Sequence, residues 1–184
     1  MTIFNTAANY KTLTKKIDSF TQQKTKLEAQ LAEIDSDFKN AEKKISLAGL
    51  SPALGKILRE QRRNLLSYVQ LTLETEAIQE ESALSSLAQF KVEDRLKALT
   101  DVDGEINRLL ASRNYDQTPP EQYKQLEAEL RELLTTQKEL LNKLNLADTS
   151  YLRTLADFDF ARQQLNTLAN KFLVYLDQRL FMGA

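Results

Sequence analysis

Cysteine, histidine and tryptophan are missing from this 184-residue chain, and there are only four glycines and three prolines. The lack of cysteine excludes disulfides and thiol chemistry, and leaves cytosol and periplasm equally open as compartments. The lack of histidine removes the commonest general base, and with cysteine gone as well the usual transition-metal ligands are lost. Average usage would supply about a dozen glycines and about nine prolines. Punctuation this sparse means few turns and long elements. A charge excess is also lacking, because 25 basic and 26 acidic residues leave a net charge of -1. That balance offers no handle for nucleic acid or for wrapping an anionic membrane. No run of about 18 apolar residues occurs, so nothing here is long enough to cross a bilayer. The opening MTIFNTAANYK has no basic segment followed by an apolar one, as a signal peptide would. Neither Met1 nor the tail Met182–Ala184 is assumed to be native.

What is present is helix-forming: Leu, Ala, Glu, Lys, Gln and Arg fill much of the chain. Turn residues gather in LAGLSP, residues 47–52, and SRNYDQTPPEQ, residues 112–122. These hinges predict three helices, over about 6–46, 52–112 and 119–181. In the first, Tyr10, Leu13, Ile17, Phe20, Lys24, Leu27, Leu31, Ile34, Phe38, Ala41 and Ile45 follow an unbroken alternation of threes and fours. That is a coiled-coil seam. Lys24 is its polar exception, read either as a register device or, more simply, as a snorkelling side chain. The second helix starts with Ser51 as N-cap and Pro52 in the first turn. Its apolar rows are Leu54, Leu58, Leu65, Val69 and Leu73, with Leu66 and Leu71 beside them, then Val92, Leu96, Leu99, Val102, Ile106 and Leu109. The width of that stripe suits a helix with two neighbours. The third helix is expected to start at Thr118 as N-cap. Its seam reads Tyr123, Leu126, Leu130, Leu133, Gln137, Leu140, Leu144, Ala147 and Tyr151. A stutter then shifts it to Leu155, Phe158, Arg162, Leu165, Ala169, Phe172 and Leu176.

The expected fold class is therefore all-α: an elongated antiparallel three-helix coiled-coil bundle forming one helical domain over residues 1–184. Kinks are expected near 101–104, at Asp-Val-Asp-Gly, and near 145–150, where Asp148 or Thr149 would cap a new segment. Length arithmetic leaves the far part of the second helix, from about Val92, with only the third helix beside it. That points to a missing neighbour and to a fragment of a longer helical region.

Little chemistry can be assembled. KILREQRRN places Lys56, Arg59 and Arg63 on one helical face with Arg62 beside them, and the folding scheme brings Arg179 to the same end. These five are the candidate contacts for phosphates, lipid headgroups or a partner; a solvated face is the plainer reading. Glu74, Glu76, Glu80 and Glu81 form an acidic stretch short of the six or more oxygens that hard cations want. DVDGE echoes part of a calcium loop, but Gly104 at loop position six would put Leu99 at position one, where it cannot ligate. Gln137 and Arg162 are polar seam residues that suit a register role. Asp157–Phe160, DFDF, has no kinase context. No phosphate-binding glycine loop and no nucleophile–base pair can be built, so no enzyme activity, metal or cofactor is expected.

From about residue 50 to 181, the order of four stretches resembles the last periplasmic portion of large MscS-type mechanosensitive channels, the MscK/MscM (KefA-like) group. These stretches are LGKILREQRRNL, LAQFKVEDRLKAL, LRELLTTQKELLNKL and the closing YLDQRLF. The first helix is generic coiled coil. The resemblance implies a periplasmic location in a bacterial inner-membrane protein, with LVYLDQRLF as the run-in to the first transmembrane helix. It implies a structural or gating-modulating arm whose partners are other segments or subunits of the same channel. Lys56, Arg59, Arg62, Arg63 and Arg179 would then stand near lipid headgroups. Pore residues are not part of the matched region, and no residue argues for potassium sensing. The alternative is a soluble coiled-coil scaffold or adaptor whose seams bind partner helices.

Overall fold

The computed structural model describes residues 3–69, 73–112 and 119–181. Five helices appear among them and no strand: α1 Ile3–Ala48, α2 Pro52–Val69, α3 Leu73–Ala98, α4 Val102–Ala111 and α5 Pro120–Phe181. The expected N-cap Thr118, the seam residue Leu71 and the tail Met182–Ala184 lie outside the described residues.

The first hinge forms as its residues dictate. Gly49 takes φ 64°, a conformation that is easy for glycine and costly for a side chain with a Cβ. Its N–H donates to the Ile45 carbonyl at 3.0 Å and closes α1. Ser51 then caps α2, accepting from the Leu54 N–H at 3.3 Å through its hydroxyl, while its carbonyl accepts from Gly55 N–H at 2.8 Å.

The expected single helix over 52–112 is corrected: it is interrupted at Leu99–Asp101. The end of α3 tightens there. The Leu99 N–H is shared between the carbonyls of Arg95 and Leu96, both at 3.1 Å, and the Thr100 N–H reaches Lys97 at 3.1 Å. Asp101, with extended backbone, starts α4 as N-cap, its carboxylate accepting from the Gly104 N–H at 2.9 Å. The sequence located the break correctly but attributed it to glycine. The cap is the cause, and Gly104 leaves room for it, because a Cβ at 104 would collide with the Asp101 carboxylate.

The new segment expected at 145–150 does not form, since α5 runs unbroken for 62 residues. Thr149 does not cap; its hydroxyl donates back to the Asn145 carbonyl at 3.0 Å, within the helix. Asp148 is turned inward and buried. The buried residues Leu134, Gln137, Leu141, Leu144, Asp148, Tyr151 and Leu155 alternate threes and fours straight into Phe158, Arg162, Leu165, Ala169, Phe172 and Leu176. The seam therefore has no stutter at 147–155. The step that breaks the alternation is the earlier one from Leu130 to Leu134, and Leu133, taken for a seam residue, is exposed. Following apolar residues alone skipped Asp148 and chose its neighbour Ala147, which is buried as well.

Two compact units make up the chain. One combines Asp18–Glu81 with Thr154–Ala184. In it α1 and α5 pack together through Phe20 on Phe158 (ring centroids 5.2 Å apart) and Phe38 stacked on Phe172 (4.8 Å). The matched order of these contacts means the two helices run the same way. Leu58 and Leu65 of α2 complete this core with Ile34, Leu165 and Leu176. Lys24 sits at its seam position but reaches outward to Glu28 at 3.4 Å, as a snorkelling lysine does. The other unit combines Met1–Ile17 with Ser82–Arg153. Its core joins Val92 and Leu99 of α3, Ile106 and Leu110 of α4, and Leu134, Leu141 and Leu144 of α5, with Leu13 the α1 residue packed against it.

Truncating Phe38, 6 % exposed and in contact with two rings, should destabilise the unit containing residues 18–81 and 154–184. Phe38→Ala is expected to cost about 3–5 kcal/mol in urea unfolding. A loss under about 1 kcal/mol would mean that this packing does not hold the unit together.

Candidate functional site

The α2 face expected to carry positive charge does carry it. Lys56, Arg59 and Arg63 are exposed on α2, with the Arg59 guanidinium folded back over Gly55. Arg62 is different. Its Nε donates to Asp177 Oδ1 at 2.5 Å, and its guanidinium lies 5.5 Å from the centroid of the Phe181 ring. It therefore ties α2 to the last turns of α5 and is engaged within the unit. Arg179 is exposed, and its guanidinium lies 5.5 Å from the Tyr175 ring. Tyr175 in turn leans on Phe38 of α1. Asp177 and Tyr175 project about 160° apart on the helix, at 100° per residue. The five residues therefore share the end of α5 without forming one continuous patch. Three cations on one face can attract an anion.

The apolar ending of the chain serves the core. Phe172, Leu173 and Leu176 are buried in it and Tyr175 and Leu180 pack against it. Val174 and Phe181 remain 56 % and 65 % exposed.

Sequence reasoning missed the most organised polar cluster, in the unit containing residues 82–153. Glu105, buried in α4, accepts from Arg95 Nη1 at 2.7 Å and from Arg108 Nε at 2.8 Å. The other terminal nitrogen of Arg95 donates to Gln137 of α5 at 3.1 Å. One guanidinium thus joins the last turn of α3 and the first turn of α4, across the Leu99–Asp101 break, to the body of α5. The hydrogen bonds from Arg108 and then Arg95 hold the Glu105 carboxyl down at about 2, against desolvation that would raise it. Nearby, Arg131 of α5 pairs with Asp103 of α4, and with Glu127 at 3.3 Å. The signal was Gln137, an amide on an apolar seam. Its partners were not legible, because Arg95 and Glu105 meet only after the chain turns between α3 and α4. Arg162, the other polar seam residue, donates to Asp159 at 2.7 Å.

Asp148 is the opposite case. Among the described residues its buried Oδ2 has no hydrogen-bond partner, and burial pushes its carboxyl up to about 6. Close by on α5, Gln89 of α3 donates to Asn145 at 3.1 Å and to Thr149 at 2.8 Å. Among the described residues no three acidic side chains gather into a metal-binding group. None of the described helices is long and apolar enough to cross a membrane.

The two shifted carboxyls give opposite pH signatures. For Glu105 the folded pKa is depressed, so its contribution is complete above about 4.5 and lost as pH falls towards 2. For Asp148 the folded pKa is raised, so the native state is favoured by protonation, and stability is lost as pH climbs from about 4 through 6. Asp148→Asn should therefore raise the melting temperature at pH 7.5 by a few degrees, a gain that shrinks as pH approaches 4. Glu105→Gln should lower it at pH 7 and lose that effect near pH 2. Calorimetry across this range checks both; an Asp148→Asn gain independent of pH would contradict the assignment. Compared with known proteins, the chain matches no protein-family model and no curated sequence.

Proposed function

We propose that the chain is a non-enzymatic periplasmic segment of a bacterial MscS-type mechanosensitive channel. Its helices would form an antiparallel three-helix coiled-coil arm next to the first transmembrane helix. The arm transmits or resists force through long helices with few breaks and contacts other segments or subunits of the same channel. The resemblance of residues 50–181 to that channel group supports the reading. The observation that carries it is the link from Arg62 to Asp177 and Phe181, which holds the basic turn of α2 against the last turn of α5. If α5 continues into a bilayer, Lys56, Arg59, Arg63 and Arg179 stand at its headgroups.

The rival reading, a soluble scaffold, uses the same packing without a membrane. The gene separates the two. The proposal expects the reading frame to continue past Phe181 into several apolar segments of about 20 residues each. A stop codon there leaves the scaffold. In the full channel, charge reversal at Lys56, Arg59 and Arg63 should shift the patch-clamp activation tension. Thresholds unchanged from wild type would remove the headgroup role.

A further inference from the structure

The hinge between α1 and α2 turns apolar side chains outward. Leu47, Leu50 and Ile57 around it stay 77 %, 42 % and 53 % exposed. The turn is held from both sides, by Gly49 N–H on the Ile45 carbonyl at 3.0 Å and by Leu54 N–H on the Ser51 hydroxyl at 3.3 Å. It therefore presents the three side chains without further ordering. About 6–10 Å behind the turn, at 1.5 Å per residue, come Lys43 and Lys44 on α1 and Lys56 and Arg59 on α2. Arg63 follows one turn further back. All five are exposed, and among the described residues none of their side chains has a hydrogen-bond or ion-pair partner. Residues 42–63 hold six basic and two acidic side chains, in a chain whose net charge is -1. The overall balance thus conceals one basic end. From the Phe38–Phe172 stack, α1 runs ten residues further to Ala48 and α5 nine to Phe181, so the hinge stands at or beyond the level of Phe181. All of these residues belong to the unit containing 18–81 and 154–184.

We infer that the α1–α2 hinge inserts into the surface of an anionic lipid bilayer, with Leu47, Leu50 and Ile57 below the headgroups and Lys43, Lys44, Lys56 and Arg59 among them. The apolar tip and the basic collar select this partner together. A polyanion such as nucleic acid would use the cations and leave the three apolar side chains in water. A partner helix covers apolar residues strung along one face, whereas these three gather at a turn. A bilayer takes both. Its interface buries apolar groups to a depth of about 5–10 Å, and its anionic headgroups attract lysine and arginine close to the surface. Ile57 lies about 7 Å from the start of α2, within that depth. The collar residues have long stems that stay in the apolar zone while their charges reach the headgroups. The contact shares Lys56 and Arg59 with the headgroup placement proposed above and rests on it to that extent. It needs no continuation of α5, because the hinge inserts by itself.

The chain has no tryptophan, so Leu50→Trp introduces a single reporter. With vesicles of equal parts phosphatidylglycerol and phosphatidylcholine, its emission should shift to the blue and be quenched by lipids brominated along the acyl chain. Leu146→Trp, at an exposed position of the other unit, should do neither. The triple variant Leu47→Ser, Leu50→Ser, Ile57→Ser changes only exposed side chains. It should keep the helical circular dichroism and weaken vesicle binding by about tenfold or more. Lys43→Gln, Lys44→Gln, Lys56→Gln and Arg59→Gln together should weaken it by about tenfold or more and remove the preference over pure phosphatidylcholine. No binding to the anionic vesicles, an unquenched Leu50→Trp, equal quenching at Leu146→Trp, binding unchanged in either multiple variant, or equal affinity for a DNA duplex would overturn the inference. A stop codon after Phe181 would remove the channel reading and leave the insertion to be decided by the vesicles.

Discussion

The structure depends on the alternation of three and four along one side of α5. From Leu134 to Leu176 every step of that seam is kept, and residues of it enter the cores of both units. In one unit the seam receives Phe20 and Phe38 of α1 with Leu58 and Leu65 of α2. In the other it receives Val92, Leu99, Ile106 and Leu110 of α3 and α4. Burying a side chain of that size stabilises by about 1.5–3 kcal/mol. Exposed ion pairs such as Lys39–Asp35 contribute about 0–1 kcal/mol each. Packing along the seam therefore decides the fold, and surface charge adjusts it.

Polar residues on the seam show what such a constraint costs. Gln137 and Arg162 are answered, by Arg95 and Asp159. Asp148 leaves one buried oxygen without a partner. A continuous seam has no means of turning one residue outward without turning its neighbours, so Asp148 is carried inside by Leu144, Tyr151 and Leu155. The helix keeps its register at the expense of a carboxyl that ionises with difficulty. Arg95 likewise answers buried polar groups, its guanidinium meeting Glu105 of α4 and Gln137 of α5 beside the helix break.

The seam of α1 was readable residue by residue, from Leu13 to Ile45, because its apolar positions follow one period and Lys24 interrupts it only once. The Gly49–Ser51–Pro52 turn was readable too, since each residue type has a specific backbone role. The seam of α5 was readable from Tyr151 to Leu176 but not before it, and for a physical reason. Around 133–148, adjacent residues (Leu133–Leu134, Leu140–Leu141, Ala147–Asp148) offer two seams that differ by one position, and the one that is buried throughout passes through an aspartate. Composition favours the wrong seam; only the partners of α5 select the right one. The division of the second helix at Asp101 was half legible, as a weak point whose cause, a side-chain cap, depends on where the carboxylate points. Of the candidate site, the cations were legible as types, but the engagement of Arg62 by Asp177, 115 positions away, was not.

Hydrogen exchange through residues 141–155 tests the unbroken seam most directly. The account predicts that the α5 amides from Asn145 to Ser150 exchange as slowly as those of Leu141 and Leu155 on either side. Exchange at Asn145–Ser150 approaching that of an unstructured chain, between protected flanks, would mean that the helix breaks there and that Asp148 is a cap after all.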